Sequence, residues 1–223
     1  MGSSYFYLEF LLSLLTLLST PPTPFTNPAI LALEYTLVPD AAYPVQLEQA
    51  MAGYAYALRM MRGQAARVCV AGDSAGGTVV LSMMLRLGEL GKNGDGNGNS
   101  NGYESSFNGR GEINDARPGM TALISPWLTL HPTSPNTPSD YLDASQLSHY
   151  ASLYAGSMSP TSPLVSPGMC KDLRLWRAAC PRGGFFVMYG REEVFAPDIG
   201  AWIKMLEDGG VDVGVEVEEG GFM

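Results

Sequence analysis

Apolar positions along the chain follow two periods that take turns, and the alternation predicts helices and strands in succession. Leu8, Leu11, Leu12, Leu15 and Leu18 repeat at helical spacing, which predicts a core helix over residues 5–18. Residues 28–38 (PAILALEYTLV) are a short apolar run closed by prolines, the pattern of a buried strand. Leu47, Met51, Tyr54, Leu58 and Met61 then fall on one face of an amphipathic helix. Residues 67–71 (RVCVA) form a β-rich strand, and a helix follows to about Leu90 with Val80, Met83, Met84 and Leu87 inward. Further strands are expected at 121–127, 185–189 and 211–217, with helices at 145–155 and 199–206. Strands alternating with helices predict an α/β fold, a mostly parallel sheet covered on both faces, in a single domain spanning 1–223.

One stretch breaks the pattern. Residues 91–115 (GKNGDGNGNSNGYESSFNGRGEIND) are rich in Gly and Asn, and such a composition buries too little apolar surface to offset its ordering entropy. A flexible surface insertion is the expectation there.

Composition narrows the classes. Hydrophobic residues make up 46% and charged residues 16%, which is a globular balance. The formal net charge of −9 argues against a nucleic-acid partner held by phosphate neutralisation. Cys69, Cys170 and Cys180 are an odd number without metal-ligand spacing, and the chain holds two histidines, so neither a disulfide framework nor a metal site is expected. Cys69 sits in an apolar run and is expected as a buried, reduced thiol. The 5–18 run has a second reading as a targeting or anchoring segment. It lacks a basic leading region, Glu9 interrupts it, and it is too short to span a bilayer as a helix. No N-x-[ST] acceptor occurs, so a soluble, cytoplasmic chain without a membrane partner is the favoured expectation.

Candidate chemistry is concentrated at Gly72-Asp73-Ser74-Ala75-Gly76-Gly77, a G-x-S-x-G match between a predicted strand and a predicted helix. The pattern demands a sharp turn. Glycines let the backbone pass close to itself while Ser74 is held strained with its hydroxyl above the sheet. The helix that begins at once offers unpaired N–H groups to a developing oxyanion, with that of Ala75 the natural donor. The competing reading is a Gly-rich strand-to-helix turn with an incidental serine.

These residues resemble the nucleophile elbow of the hormone-sensitive-lipase-like serine esterases, an α/β-hydrolase family. The segment Leu33-Glu34-Tyr35-Thr36-Leu37-Val38-Pro39-Asp40 with Tyr43-Pro44 is similar to that family's D-Y-R-L-A-P-E and F-P elements. Ile124-Ser125-Pro126-Trp127 resembles its L-I-S-P-W strand end, and Ser162-Pro163-Leu164-Val165-Ser166-Pro167 its S-P-L-x-S-P segment. The resemblance implies an α/β-hydrolase fold and a carboxylic-ester hydrolase working through an acyl-enzyme at Ser74, without cofactor or metal, on a small ester with an apolar acyl group. In the family the triad acid lies three residues after the glycine closing its strand; from Gly190 that position is Glu193, with Glu192 one residue off and Asp198 matching a later acidic position. Glu193 would orient a histidine and stabilise its imidazolium; the alternative is a solvated loop carboxylate.

Two parts of the family's pattern have no match. Its H-G-G-G oxyanion loop is absent, and Met1-Gly2-Ser3-Ser4-Tyr5-Phe6-Tyr7 resembles the residues just after it. The last strand leads into Glu218-Glu219-Gly220-Gly221-Phe222-Met223 where a histidine would be due. The expectation is therefore a fold lacking its first strands and C-terminal end, close to inert as a catalyst. A non-catalytic protein binding a small apolar ligand or a partner protein is the alternative. His131 and His149 both precede Glu193 and are expected in polar surface or cap roles. The resemblance also implies that a central strand between residues 29–38 and 67–71 is missing, which leaves sheet edges open to aggregation. Low solubility of the isolated 223-residue chain follows; a sharp cooperative melt of a purified monomer would contradict it.

Overall fold

The computed structural model describes residues 5–92, 116–133 and 140–219. Two compact units are distinguished, residues 1–36 and residues 37–223. In the first, α1 (Leu8–Ser19) forms as the leucine spacing predicts, but none of its residues is buried. The expectation of a core helix fails here: the spacing specifies a helix, but none of its residues is fully buried. Thr16, Ser19 and Thr20 hydroxyls donate to carbonyls four residues back, so these three are satisfied within the segment.

The expected strand at 28–38 is a second correction. Those residues form no strand and are half-buried to exposed. An apolar run becomes a strand only if a ladder partner receives its N–H and C=O groups, which composition alone does not supply.

The second unit is built on four parallel strands in the order β1 (Cys69–Asp73), β2 (Met120–Ile124), β3 (Phe185–Gly190) and β4 (Val213–Glu218). Helices join them: α2 (Val45–Met60) precedes β1, α3 (Ala75–Lys92) follows it, α4 (Ala144–Ala155) and α5 (Leu173–Ala179) lie between β2 and β3, and α6 (Ala196–Asp208) links β3 to β4. The α/β architecture with a parallel sheet flanked by helices is thus as the alternation predicts. Helix starts carry local signals. Asp143 accepts from the N–H groups of Ser145 and Gln146, Asp172 from those of Arg174 and Leu175, and Pro197 occupies the first turn of α6.

Because β1 is the sheet's edge, Cys69 is exposed rather than buried, although it is a free thiol as expected. The Gly/Asn-rich stretch lies outside the described residues, apart from Gly91 and Lys92, which end α3. That helix is buried more widely than one amphipathic stripe: Val79, Leu81, Met83, Met84, Leu85 and Leu87 are all inside, while Val80 is only half-buried.

The sheet's two faces differ. Register places Thr121 beside Phe185 and Leu123 beside Val187, and all four are at most 2% exposed. Beneath them Trp176 of α5, Phe185 and Trp202 of α6 meet edge to face, with ring centroids 5.4–6.1 Å apart. On the other face Ala122, Ile124 and Met188 are half-buried and Phe186 is 37% exposed, so cover is less complete there than the sequence predicts. Phe185→Ala removes a fully packed ring and should lower unfolding free energy by about 3–5 kcal/mol. Phe186→Ala, one residue away on the open face, should cost less than about 1.5 kcal/mol. Urea denaturation of both variants checks the contrast.

Candidate active site

Three strand ends meet at one edge of the sheet, and backbone bonds stitch them together. Ser74, one residue past β1, takes φ +51, and Ser125, one residue past β2, takes φ +41. Both are left-handed conformations that a side chain rarely adopts. The N–H of Ser74 donates to the carbonyl of Ile124 at 3.0 Å, and that of Ser125 to the carbonyl of Met188 at 2.8 Å. Each turn therefore continues the sheet ladder by one bond while reversing the chain. The Ser74 carbonyl accepts from Gly77 and Trp127 N–H groups, both at 3.0 Å.

The glycines are required by space. A Cβ on Gly72 would lie 2.5 Å from the Gly76 carbonyl oxygen, and one on Gly77 would lie 2.7 Å from Pro126 Cβ. Such contacts cannot be relieved without moving backbone. Ser74 is half-buried, and Ala75 opens α3, so its N–H belongs to the first turn, where helix geometry supplies no intrahelical acceptor. Asp73 ends β1.

Glu193 lies three residues past the end of β3. Its side chain turns inward, leaving it 9% exposed, whereas Glu192 is exposed. Oε1 accepts from the Ser125 hydroxyl at 2.7 Å and from the Gly190 N–H at 2.8 Å. Oε2 is buried with no hydrogen-bond partner among the described residues. Burial pushes the Glu193 carboxyl above its ordinary 4.5; the bonds from Ser125 and Gly190 pull it down, and the charges of Asp140 and Asp73 push it up.

Sequence reasoning did not single out two of these residues. Ser125 is the direct link between the β2 end and Glu193. Asp140 accepts from the N–H of Val194, the next residue after Glu193, at 2.8 Å, and from that of Leu142 at 2.9 Å. Ser125 had a signal in the Ile124-Ser125-Pro126-Trp127 segment; Asp140 had none at fixed spacing. Asp198 accepts from the N–H and hydroxyl of Thr133, which bears on the same loop. The two histidines are not brought in. His131 and His149 are both exposed; His149 contacts the ring of Tyr150, and neither is hydrogen-bonded to Ser74 or Glu193 among the described residues.

Among the described residues no group of three or more His, Cys, Asp or Glu side chains could hold a metal ion. No helix of the described residues is long and apolar enough to cross a membrane.

With the raised Glu193 pKa, the folded state holds its proton more tightly than the unfolded chain. This group's contribution is then most favourable below about 4.3, and stability falls as pH rises from there through the folded-state value. Glu193→Gln keeps an acceptor for Ser125 and Gly190 but cannot ionise. The variant should therefore gain stability relative to the parent as pH rises across that window, measured by urea denaturation at a series of pH values. A parent-to-variant difference that does not change with pH would contradict the sign.

Comparison with known proteins agrees with this geometry. A putative steryl acetyl hydrolase of Schizosaccharomyces pombe is 27% identical over 216 residues, covering 86% of this chain and 51% of that protein. Bovine hormone-sensitive lipase is 35% identical over 65 residues, 28% of this chain and 9% of its own length. An acetyl-hydrolase of Streptomyces hygroscopicus is 28% identical over 147 residues, covering 62% of this chain and 40% of that protein. Among solved structures, a hormone-sensitive lipase from a metagenome library superposes with a TM-score of 0.62 at 22% identity, over 83% of this chain and 54% of that one. The chain thus spans about half the length of the yeast relative and of that structure. The family described as alpha/beta hydrolase fold matches residues 25–222. With a parallel sheet, a strained serine between β1 and α3, and a match over nearly its whole length, the chain belongs to the alpha/beta hydrolase fold family.

Proposed function

We propose that the site is an ester-hydrolysing one of the hormone-sensitive-lipase-like type, with Ser74 as nucleophile, Ala75 N–H as an oxyanion donor and Glu193 as the orienting acid. The observation that carries this reading is the left-handed Ser74 at the β1–α3 turn, with Ser125 joining the neighbouring strand end to a buried Glu193. The substrate class is a small carboxylic ester. In the acylation step the Ser74 Oγ–acyl carbon bond forms, the ester C–O bond breaks, the alkoxide leaves as the alcohol, and the serine proton passes to a base. Water then attacks the acyl-enzyme and releases the acid.

Among the described residues no base is hydrogen-bonded to Ser74. Both histidines are exposed, and among the described residues neither is bonded to Ser74 or Glu193. Loss of the base from a comparable triad costs on the order of 10⁶ in turnover, and a missing oxyanion donor about 10²–10³ more. The 223-residue chain is therefore a very slow catalyst at most. The same histidine placement favours a second reading, a hydrolase-like protein that binds a small apolar ligand or partner protein without turnover.

An activated ester separates the two. Prolonged incubation with a p-nitrophenyl ester, whose leaving group departs without protonation, should slowly add one acyl group to the Ser74 peptide, read by mass spectrometry, with turnover near solvent background. Ser74→Ala should abolish the adduct. No adduct on Ser74, with ligand binding equal in parent and Ser74→Ala, would replace the esterase reading with the second one.

A further inference from the structure

The acid-bearing turn after β3 is seated on the stretch of chain that follows β2. Val194 is fully buried and Phe195 is 3% exposed, and the Phe195 ring stacks on that of Trp127 with centroids 6.0 Å apart. Hydrogen bonds tie the same two stretches at three points. The Ser125 hydroxyl donates to Glu193 Oε1 at 2.7 Å, the Val194 N–H to Asp140 Oδ2 at 2.8 Å, and the Thr133 hydroxyl to Asp198 Oδ1 at 2.6 Å. Of these three, the first holds the Glu193 carboxyl itself. The other two hold the chain that carries it.

The bond to Asp140 lies nearest the acid. A backbone N–H at a fully buried residue must find an acceptor, and for Val194 the Asp140 carboxylate supplies it. That carboxylate is itself oriented. Its other oxygen accepts from the Leu142 N–H at 2.9 Å, a local turn that leads through the Asp143 cap into α4. With Oδ1 engaged in this turn, Oδ2 keeps a fixed direction toward the residue after Glu193. A shift of Val194 would swing the preceding peptide and draw the Glu193 side chain off Ser125 and Gly190. Asp140 also acts by charge. Burial is the main reason the Glu193 carboxyl holds its proton tightly; the Ser125 and Gly190 bonds oppose it, and the charges of Asp140 and Asp73 add to it.

We propose that Asp140 is a positioning residue for Glu193, keeping the acid on Ser125 and Gly190 through the Val194 N–H. Its catalytic meaning rests on the ester-hydrolase reading, in which Glu193 must present a carboxylate of fixed direction to a base. A misplacement of about 1 Å in such a constellation costs on the order of 10² in rate.

The Gly190 amide reports on the acid directly, because it donates to Glu193 Oε1 at 2.8 Å. Its shifts are followed against pH by NMR of the 15N-labelled full chain, and in the parent they should titrate with Glu193. Asp140→Asn removes the charge but keeps an acceptor for Val194, so the titration should persist with its midpoint at lower pH. Asp140→Ser also removes the charge. Its single oxygen retains the local turn to Leu142 but leaves Val194 unserved, so the Gly190 amide should move upfield and lose most of its titration. A merely structural role would not separate these two variants in this way. Asp172→Ala, which removes the corresponding cap of α5, should leave the Gly190 titration as in the parent. The parent gives a second measurement that needs no variant to fold: the Val194 amide shift should follow the protonation of Asp140. A Val194 amide insensitive to pH would overturn the proposal, as would a parent-like Gly190 titration in Asp140→Ser or equal losses in Asp140→Ser and Asp140→Asn. The Ser74 adduct is read separately. Its absence, with the Gly190 contrast intact, sinks the esterase reading and leaves Asp140 positioning a carboxyl that is not catalytic.

Discussion

The turn at Ser74 is the constraint from which the rest of the functional end follows. A parallel strand must end, release a side chain upward and start a helix within a few residues, and only glycine at 72 and 77 leaves room for the backbones that cross there. The serine between them is held left-handed, at a strain of the order of 1–3 kcal/mol. What keeps it there is the ladder: Ser74 remains bonded to Ile124 beyond the formal end of β1. Ser125 repeats the arrangement one strand over, left-handed and bonded to Met188. Its hydroxyl then reaches Glu193 after the third strand. Positions of three side chains far apart in sequence are thus set by consecutive parallel strand pairings.

This explains which parts were legible in the sequence. G-D-S-A-G-G is readable because its physical demand is local: the glycines and the serine make the turn with whatever strand precedes them. The four observed strands and five of the six helices were readable for the same reason, since period and length specify them within a few residues. Residues 28–38 were misread because a strand is not a local property. Their apolar run satisfies every compositional rule, yet it forms no strand, because pairing in a ladder is set by the rest of the fold. Likewise the leucine spacing of α1 specifies a helix but not something to bury it. Ser125 and Asp140 act through contacts 68 and 54 residues away in sequence, and no spacing rule reports such pairings. The short α5 was missed because seven residues show too little of a 3.6-residue period.

Burial then divides the molecule's charge. At the C-terminal ends of the strands, Asp73, Asp140 and Glu193 are close enough that the first two raise the proton affinity of the third. Near the N-terminal ends, Arg117, Arg177, Arg182 and Asp212 line one surface hollow. Between the two ends lies the apolar face of Thr121, Leu123, Phe185 and Val187 with the Trp176–Phe185–Trp202 cluster. Fields from opposite ends are screened from one another in solution over about 8–10 Å, so each end answers to its own neighbours.

Glu193 shows how unevenly the fold spends its hydrogen bonds. One oxygen receives two donors, from Ser125 and Gly190, while the other is buried with none among the described residues. A structural carboxylate would be expected to share its donors, because a buried unpaired acceptor costs roughly 1–3 kcal/mol. Concentrating both bonds on Oε1 instead fixes the carboxyl plane and leaves Oε2 as an acceptor of fixed direction. The same end of the sheet carries the left-handed backbone at Ser74 and Ser125. Strain and an unsatisfied acceptor therefore accumulate around one point while the neighbouring core, from Leu123 to Trp202, is fully packed. Two left-handed turns and an unpaired carboxylate oxygen at the strand ends cost stability where they stand, a cost that the proposed esterase site would carry.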